Sequence, residues 1–88
     1  MLAGILSAPG TLSLAHVAQP EPAPGQVLVR LEGSGVCASS LPVWEGRPWF
    51  RYPLAAGAPG HEGWGTVAGL GDGVTGWREG DRVAALSF

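Results

Sequence analysis

The stretch "GAPGHEGWGTVAGLGDGV", Gly57 to Val74, decides how this chain is read. It holds His61, one of 2 histidines in 88 residues, with Glu62 beside it. Glycine recurs at 57, 60, 63, 65, 69, 71 and 73. Glycine weakens an ordinary strand, because its backbone has the most entropy to lose and it offers no side chain to pack. A strand that accepts so many glycines either bends sharply or lets something approach its backbone closely. A bulged barrel corner needs the first property, and a metal site wedged against a second domain needs the second. The stretch by itself leaves both open.

Working outward, the rest of the chain reads as short strands separated by turns. "TLSLAHV" (Thr11–Val17) puts Leu12 and Leu14 on one face and Thr11 and Ser13 on the other, the period-two pattern of a half-buried strand. The apolar Met1–Leu6 segment precedes it across Pro9-Gly10, so the two can pair as a hairpin. Pro20, Pro22 and Pro24 favour an extended path, and Gly25 allows a tight turn. "QVLVRLEGSGV" (Gln26–Val36) is the clearest strand, with Val27, Val29 and Leu31 on one face and Gly33 and Gly35 ending or bulging it. "ASSLPVWEG" starts a short helical turn with Ser39 or Ser40 as its N-cap, and "RPWFRYPLAAGAPG" is a proline-broken loop. "HEGWGTVAGLG" returns to a strand, and "RVAALSF" is a last one. The expectation is an all-β domain of five or six short strands, a small barrel or sandwich fragment with at most one or two helical turns.

Composition narrows the function classes. The formal net charge is -2 and the 5 basic residues, all arginine, form no run, so a nucleic-acid footprint is not expected. No apolar run approaches a membrane span, and the N-terminus lacks the basic leader of a signal peptide. Hydrophobic residues make up 45% of the chain, which separates it from disordered compositions. One cysteine, Cys37, excludes an internal disulfide, so the expected compartment is the reducing cytoplasm.

Cys37 and His61 lie in different loops, each beside a strand. Thiolate and imidazole are both good zinc ligands, and a catalytic zinc takes three protein ligands and keeps one position open. Taken alone, a single cysteine is more often a small buried hydrophobe, and a single histidine a surface or hydrogen-bonded core residue.

"GHEGWGTVAGLGDGV" resembles the signature of zinc-containing alcohol dehydrogenases: Gly-His-Glu, two residues, Gly, then five residues to a further Gly. Gly60, His61, Glu62, Gly65 and Gly71 fit it in position, and Val74 fits the residue that closes it. "PEPAPGQVLVRL", "GVCASSL" and "GDRVA" resemble three more stretches of that family in the same order. The chain is therefore identified as similar to the N-terminal, GroES-like catalytic domain of medium-chain dehydrogenases, spanning 1–88 as an incomplete, partly open barrel.

The resemblance implies roles. Cys37 and His61 are similar to the thiolate and imidazole ligands of the catalytic zinc, and Glu62 to the acidic neighbour that can approach the metal. Ser39 resembles the hydroxyl that binds the substrate alcohol and starts its proton relay; the plain alternative is a helix N-cap. For Glu62 the plain alternative is a carboxylate in solvent or paired with Arg47, Arg51 or Arg82. Trp49 and Phe50, between the two ligands, are expected to line an apolar substrate pocket or else to pack in the core. The implied activity is hydride transfer between a small alcohol or carbonyl and NAD or NADP. That cofactor would bind a Rossmann domain outside this chain, since "GWGTVAGLG" lies in a strand and is no nucleotide loop. The family's third ligand, and its structural-zinc lobe when present, lie beyond Phe88. On this expectation the 88-residue chain alone is inactive, and the full-length enzyme is a homo-oligomer. The chain departs from the family at Ser40, where an aspartate is usual, at Ala38, and at Pro42, where many members place a relay histidine. "SLP" is closer to polyol-dehydrogenase-like branches. The alternatives are a GroES-like binding module without catalysis, or a truncated remnant without activity of its own.

Overall fold

A computed structural model of the chain describes residues 1–58 and 60–85. The described residues form five strands, β1 (Leu2–Ala8), β2 (Thr11–His16), β3 (Val27–Ser34), β4 (Gly63–Leu70) and β5 (Arg82–Ala84). Between β3 and β4 lie a 3₁₀ turn, Ala38–Ser40, and one short helix, α1 (Leu41–Glu45). The chain is mainly β, as the pattern of short alternating segments implies, and its described strands form two separate sheets rather than a closed barrel. No helix among the described residues is long and apolar enough to cross a membrane. The chain divides into two compact units: Met1–Ala18 with Val36–His61, and Gln19–Gly35 with the described residues from Glu62 onward.

The first unit is built on the β1–β2 hairpin, antiparallel from Leu2↔His16 to Ala8↔Thr11. Pro9 and Gly10 turn the chain, and Gly10 has φ +70°, which fits the second central position of a type II turn. Such a turn splays the strands, and the register slips beside it, between Leu6 and Ala8. Leu6 is the buried centre of this unit, 2% exposed. Leu12, Val43 and Trp44 gather with it and Ser40 around a cavity of about 90 Å³. The turn is tied to the helix, because the Gly10 amide donates to the Trp44 carbonyl at 2.9 Å. Pro42 sits in the first turn of α1, where a missing N–H costs nothing, and Gly46 closes the helix with φ +82°.

The half-buried character expected of "TLSLAHV" does not hold. Leu12 is 55% and Leu14 69% exposed. Alternation correctly puts both on one face, but burial needs a layer over that face, and α1 covers only the Leu6 end of the ribbon.

The loop after α1 lies along the outer edge of β1. The Leu54 and Gly57 amides donate to the carbonyls of Leu6 and Gly4, at 3.1 and 2.8 Å. The Tyr52 hydroxyl donates to the Val43 carbonyl.

The second unit is a three-stranded antiparallel sheet in the order β3-β4-β5. Val67, in the central strand, is its buried side chain among the described residues, at 2% exposure. Two register shifts interrupt the β3–β4 ladder, one between Leu28 and Val29 and one between Leu31 and Gly33. The second places Gly33 opposite Trp64, whose indole lies over the glycine; a Cβ there would stand 2.7 Å from Cε2. These shifts break the simple face assignment of β3, and Leu31 is 63% exposed. Glycine in β4 answers to close approach by the chain's own backbone. A Cβ on Gly65 would collide with the Arg30 carbonyl oxygen and lie 2.8 Å from its carbon.

Candidate functional site

Cys37 follows the end of β3 in extended conformation, with φ -114° and ψ 139°. Its carbonyl accepts the Ser40 amide at 3.0 Å and so opens the 3₁₀ turn. That turn brings the residue two positions on, Ser39, back toward the cysteine side chain. The Ser39 hydroxyl donates to the Cys37 sulfur at 3.2 Å. Neither Ser39 nor Ser40 makes a side-chain cap to a helix; Cys37 is the cap residue of the 3₁₀ turn and Ser40 that of α1. The N-cap expected of "ASSLPVWEG" therefore exists by position at Ser40 but not as a hydrogen bond, because α1 continues directly from the turn and Ser40 already has helical dihedrals, φ -79° and ψ -14°.

His61 arrives from the other direction, at the end of the loop held along β1. Its Nε2 lies 3.4 Å from the Ser39 oxygen. Ser39 has one proton and gives it to the sulfur, so a contact with Nε2 is a hydrogen bond when that nitrogen carries the hydrogen. Cys37 and His61, 24 positions apart, thus converge on one serine within the first unit, with the sulfur and a ring nitrogen no more than 4.8 Å apart. Both are half-buried while Ser39 is exposed, so the cluster is open to solvent at the serine.

This donor set suits a soft-to-borderline divalent cation. Tetrahedral zinc, with Zn–S of about 2.3 Å and Zn–N of about 2.1 Å, sets two such donors about 3.6 Å apart. A span of at most 4.8 Å reaches that value by a small side-chain adjustment.

Glu62 is peptide-bonded to His61 and opens the second unit, where its backbone carbonyl accepts the Gly35 amide at 3.0 Å. Its side chain lies over Gly35: a Cβ built there would collide with Oε1 and stand 3.4 Å from Cβ and Cδ of the glutamate. Gly35 is the residue that sequence reasoning passed over. It reads there only as the end of a strand, and no spacing rule shows which side chain lies across from it. Of the arginines considered for Glu62, Arg47 pairs with Glu45 at 3.1 Å. Trp49 is 71% exposed, and its ring centroid lies 5.9 Å from that of Phe50. Core packing therefore does not account for Trp49, and neither ring lines the cavity beside α1.

A hairpin and a bulged glycine-rich sheet, with a cysteine and a histidine brought together after β3 and before β4, define a class, and comparison gives it a family. Residues 23–87 match the alcohol dehydrogenase GroES-like domain, and the chain belongs to that family. It is 44% identical over 78 residues to alcohol dehydrogenase 2 of Caenorhabditis elegans, covering 84% of this chain and 21% of that protein. Against an alcohol dehydrogenase of Rhizobium meliloti it is 47% identical over 72 residues, covering 82% of this chain and 21% of the relative. A sorbitol dehydrogenase of Halalkalibacterium halodurans is 43% identical over 79 residues, covering 86% and 22%. The chain spans about a fifth of the length of the curated relatives it matches.

Proposed function

We propose that this chain is the zinc- and substrate-holding part of an alcohol or polyol dehydrogenase that moves hydride between a small alcohol and NAD or NADP. The observation that carries the proposal is the convergence of Cys37 and His61 on Ser39, made from two segments far apart in sequence. A non-catalytic GroES-like module gives those residues no reason to meet.

Cys37 and His61 would hold the metal, with Glu62 the acidic group next in the chain. Zinc held there supplies Lewis-acid polarisation of a substrate oxygen. Ser39 is the hydroxyl beside the pair and takes the proton that a substrate alcohol gives up. Pro42 supplies no proton acceptor, so the proton passes from Ser39 to water or to another group. Exposure of Ser39 is compatible with release to solvent. The nicotinamide cofactor would bind a separate nucleotide domain of the longer protein, which carries the hydride chemistry while this part supplies position and charge.

The test is metal affinity and metal-dependent stability of the purified chain. Wild type should bind zinc in an equilibrium titration, and Cys37→Ser should bind it much more weakly. Free zinc at 100 times its Kd should add about 2.7 kcal/mol to the unfolding free energy of wild type, and a chelator should remove the gain. Equal zinc affinity in wild type and Cys37→Ser would overturn the proposal.

A further inference from the structure

Cys37 and His61 are carried by two different elements of the first unit. Cys37 leads through the 3₁₀ turn straight into α1, whereas His61 ends the loop that runs along β1. Both elements rest on the hairpin: α1 through the Gly10 amide on the Trp44 carbonyl, the loop through the Leu54 and Gly57 amides on the carbonyls of Leu6 and Gly4. Tyr52 adds a direct link between them. Its hydroxyl donates to the Val43 carbonyl, 9 positions back in the chain. Val43 lies in the last turn of α1, where carbonyls run out of partners within the helix. The Gly46 and Arg47 amides both go to the Pro42 carbonyl, which leaves the Val43 carbonyl to the tyrosine. The bond is partly buried, so water competes for it less than at the surface.

We propose that Tyr52 is a positioning residue for the metal pair: by tying the loop to α1, its hydroxyl keeps the Cys37 thiol and the His61 ring within reach of one ion before any metal arrives. The proposal rests on the metal reading of Cys37 and His61. A metal that needs both donors binds only the fraction of chains in which both segments are in place, and its apparent affinity falls with that fraction. One hydrogen bond of this kind is worth about fivefold in such an equilibrium.

Cobalt(II), titrated into the purified chain and followed by absorption, tests this together with amide hydrogen exchange of the metal-free chain. Tyr52→Phe keeps the ring and removes only the donor. It should retain the dispersed amide spectrum of the folded chain and bind cobalt about three- to fivefold more weakly. At saturation its cobalt spectrum should match that of wild type, because the ligands are the same. Exchange of the Leu54 amide should quicken by a similar factor, while the Val67 amide of the second unit keeps its wild-type rate. Unchanged cobalt affinity overturns the proposal. So does an unfolded Tyr52→Phe chain, or exchange that quickens equally at Leu54 and Val67, since the hydroxyl would then support the fold at large. No cobalt uptake by the wild-type chain is a different failure, because it overturns the metal reading beneath the proposal as well.

Discussion

The Ser39 hydroxyl donates to the Cys37 sulfur across 3.2 Å, on the inside of a 3₁₀ turn that the cysteine's own carbonyl opens. The contact is local, but it fixes the serine beside a histidine 22 positions further along the chain. A hydroxyl held this way is oriented before any substrate arrives. On the dehydrogenase reading proposed above, Ser39→Ala in an active enzyme that contains this chain should lower kcat by about 10²–10⁴-fold, the usual share of a positioned proton acceptor. Zinc content should stay that of wild type, and Ser39→Thr should recover most of the rate. Loss of zinc together with rate would instead make the serine a support of the metal loop.

Gly65→Ala should be strongly damaging in the second unit. The added Cβ meets the Arg30 carbonyl, which belongs to the paired strand and can yield only by moving the ladder. Overpacking of this kind costs about 1–3 kcal/mol, and a backbone obstacle puts it at the upper end. Urea unfolding should show the midpoint falling accordingly; a shift under about 0.5 kcal/mol, the range of neutral surface changes, would contradict the close approach.

Leu6 and Leu14 are both leucines of the hairpin, yet one is 2% and the other 69% exposed. Leu6→Ala should cost about 2–5 kcal/mol, the range for a buried leucine. Leu14→Ala should stay within about 0.5 kcal/mol of wild type. Val67→Ala should cost about 2 kcal/mol, for a smaller side chain equally enclosed. Thermal and urea unfolding of the three variants check the order, and equal costs at positions 6 and 14 would refute it.

Trp49, between Cys37 and His61 in the sequence and 71% exposed, is proposed to contact the substrate. On the dehydrogenase reading, Trp49→Ala in an active enzyme that contains this chain should raise kcat/KM for bulky alcohols relative to small ones, by about 10-fold or more if one pocket wall is removed. Unchanged relative rates across a series of alcohols would take Trp49 out of the pocket.

Much of the architecture was legible because short-range signals agree with it. Pro9-Gly10 marks the hairpin turn, and the alternation of Val27, Val29 and Leu31 marks β3. The exposure of Leu12, Leu14 and Leu31 was not legible, since alternation names a face without saying whether anything covers it. The two slips in the β3–β4 ladder were equally hidden; they depend on which residue of one strand meets which of the other. Family resemblance brought out Cys37, Ser39, His61 and Glu62, whereas residue types alone favoured a buried hydrophobe, a helix cap, a surface or hydrogen-bonded histidine and a solvated or arginine-paired carboxylate. Gly35 escaped both routes, because its significance is a collision that appears only when two distant segments are side by side.

The loop that carries Leu54 and Gly57 past the hairpin has one more effect. By taking up the Leu6 and Gly4 carbonyls it occupies acceptors that an unpaired ribbon would present to any extended peptide. Fibre growth by strand addition finds that rim already engaged, and the protection comes from the same loop that ends at His61.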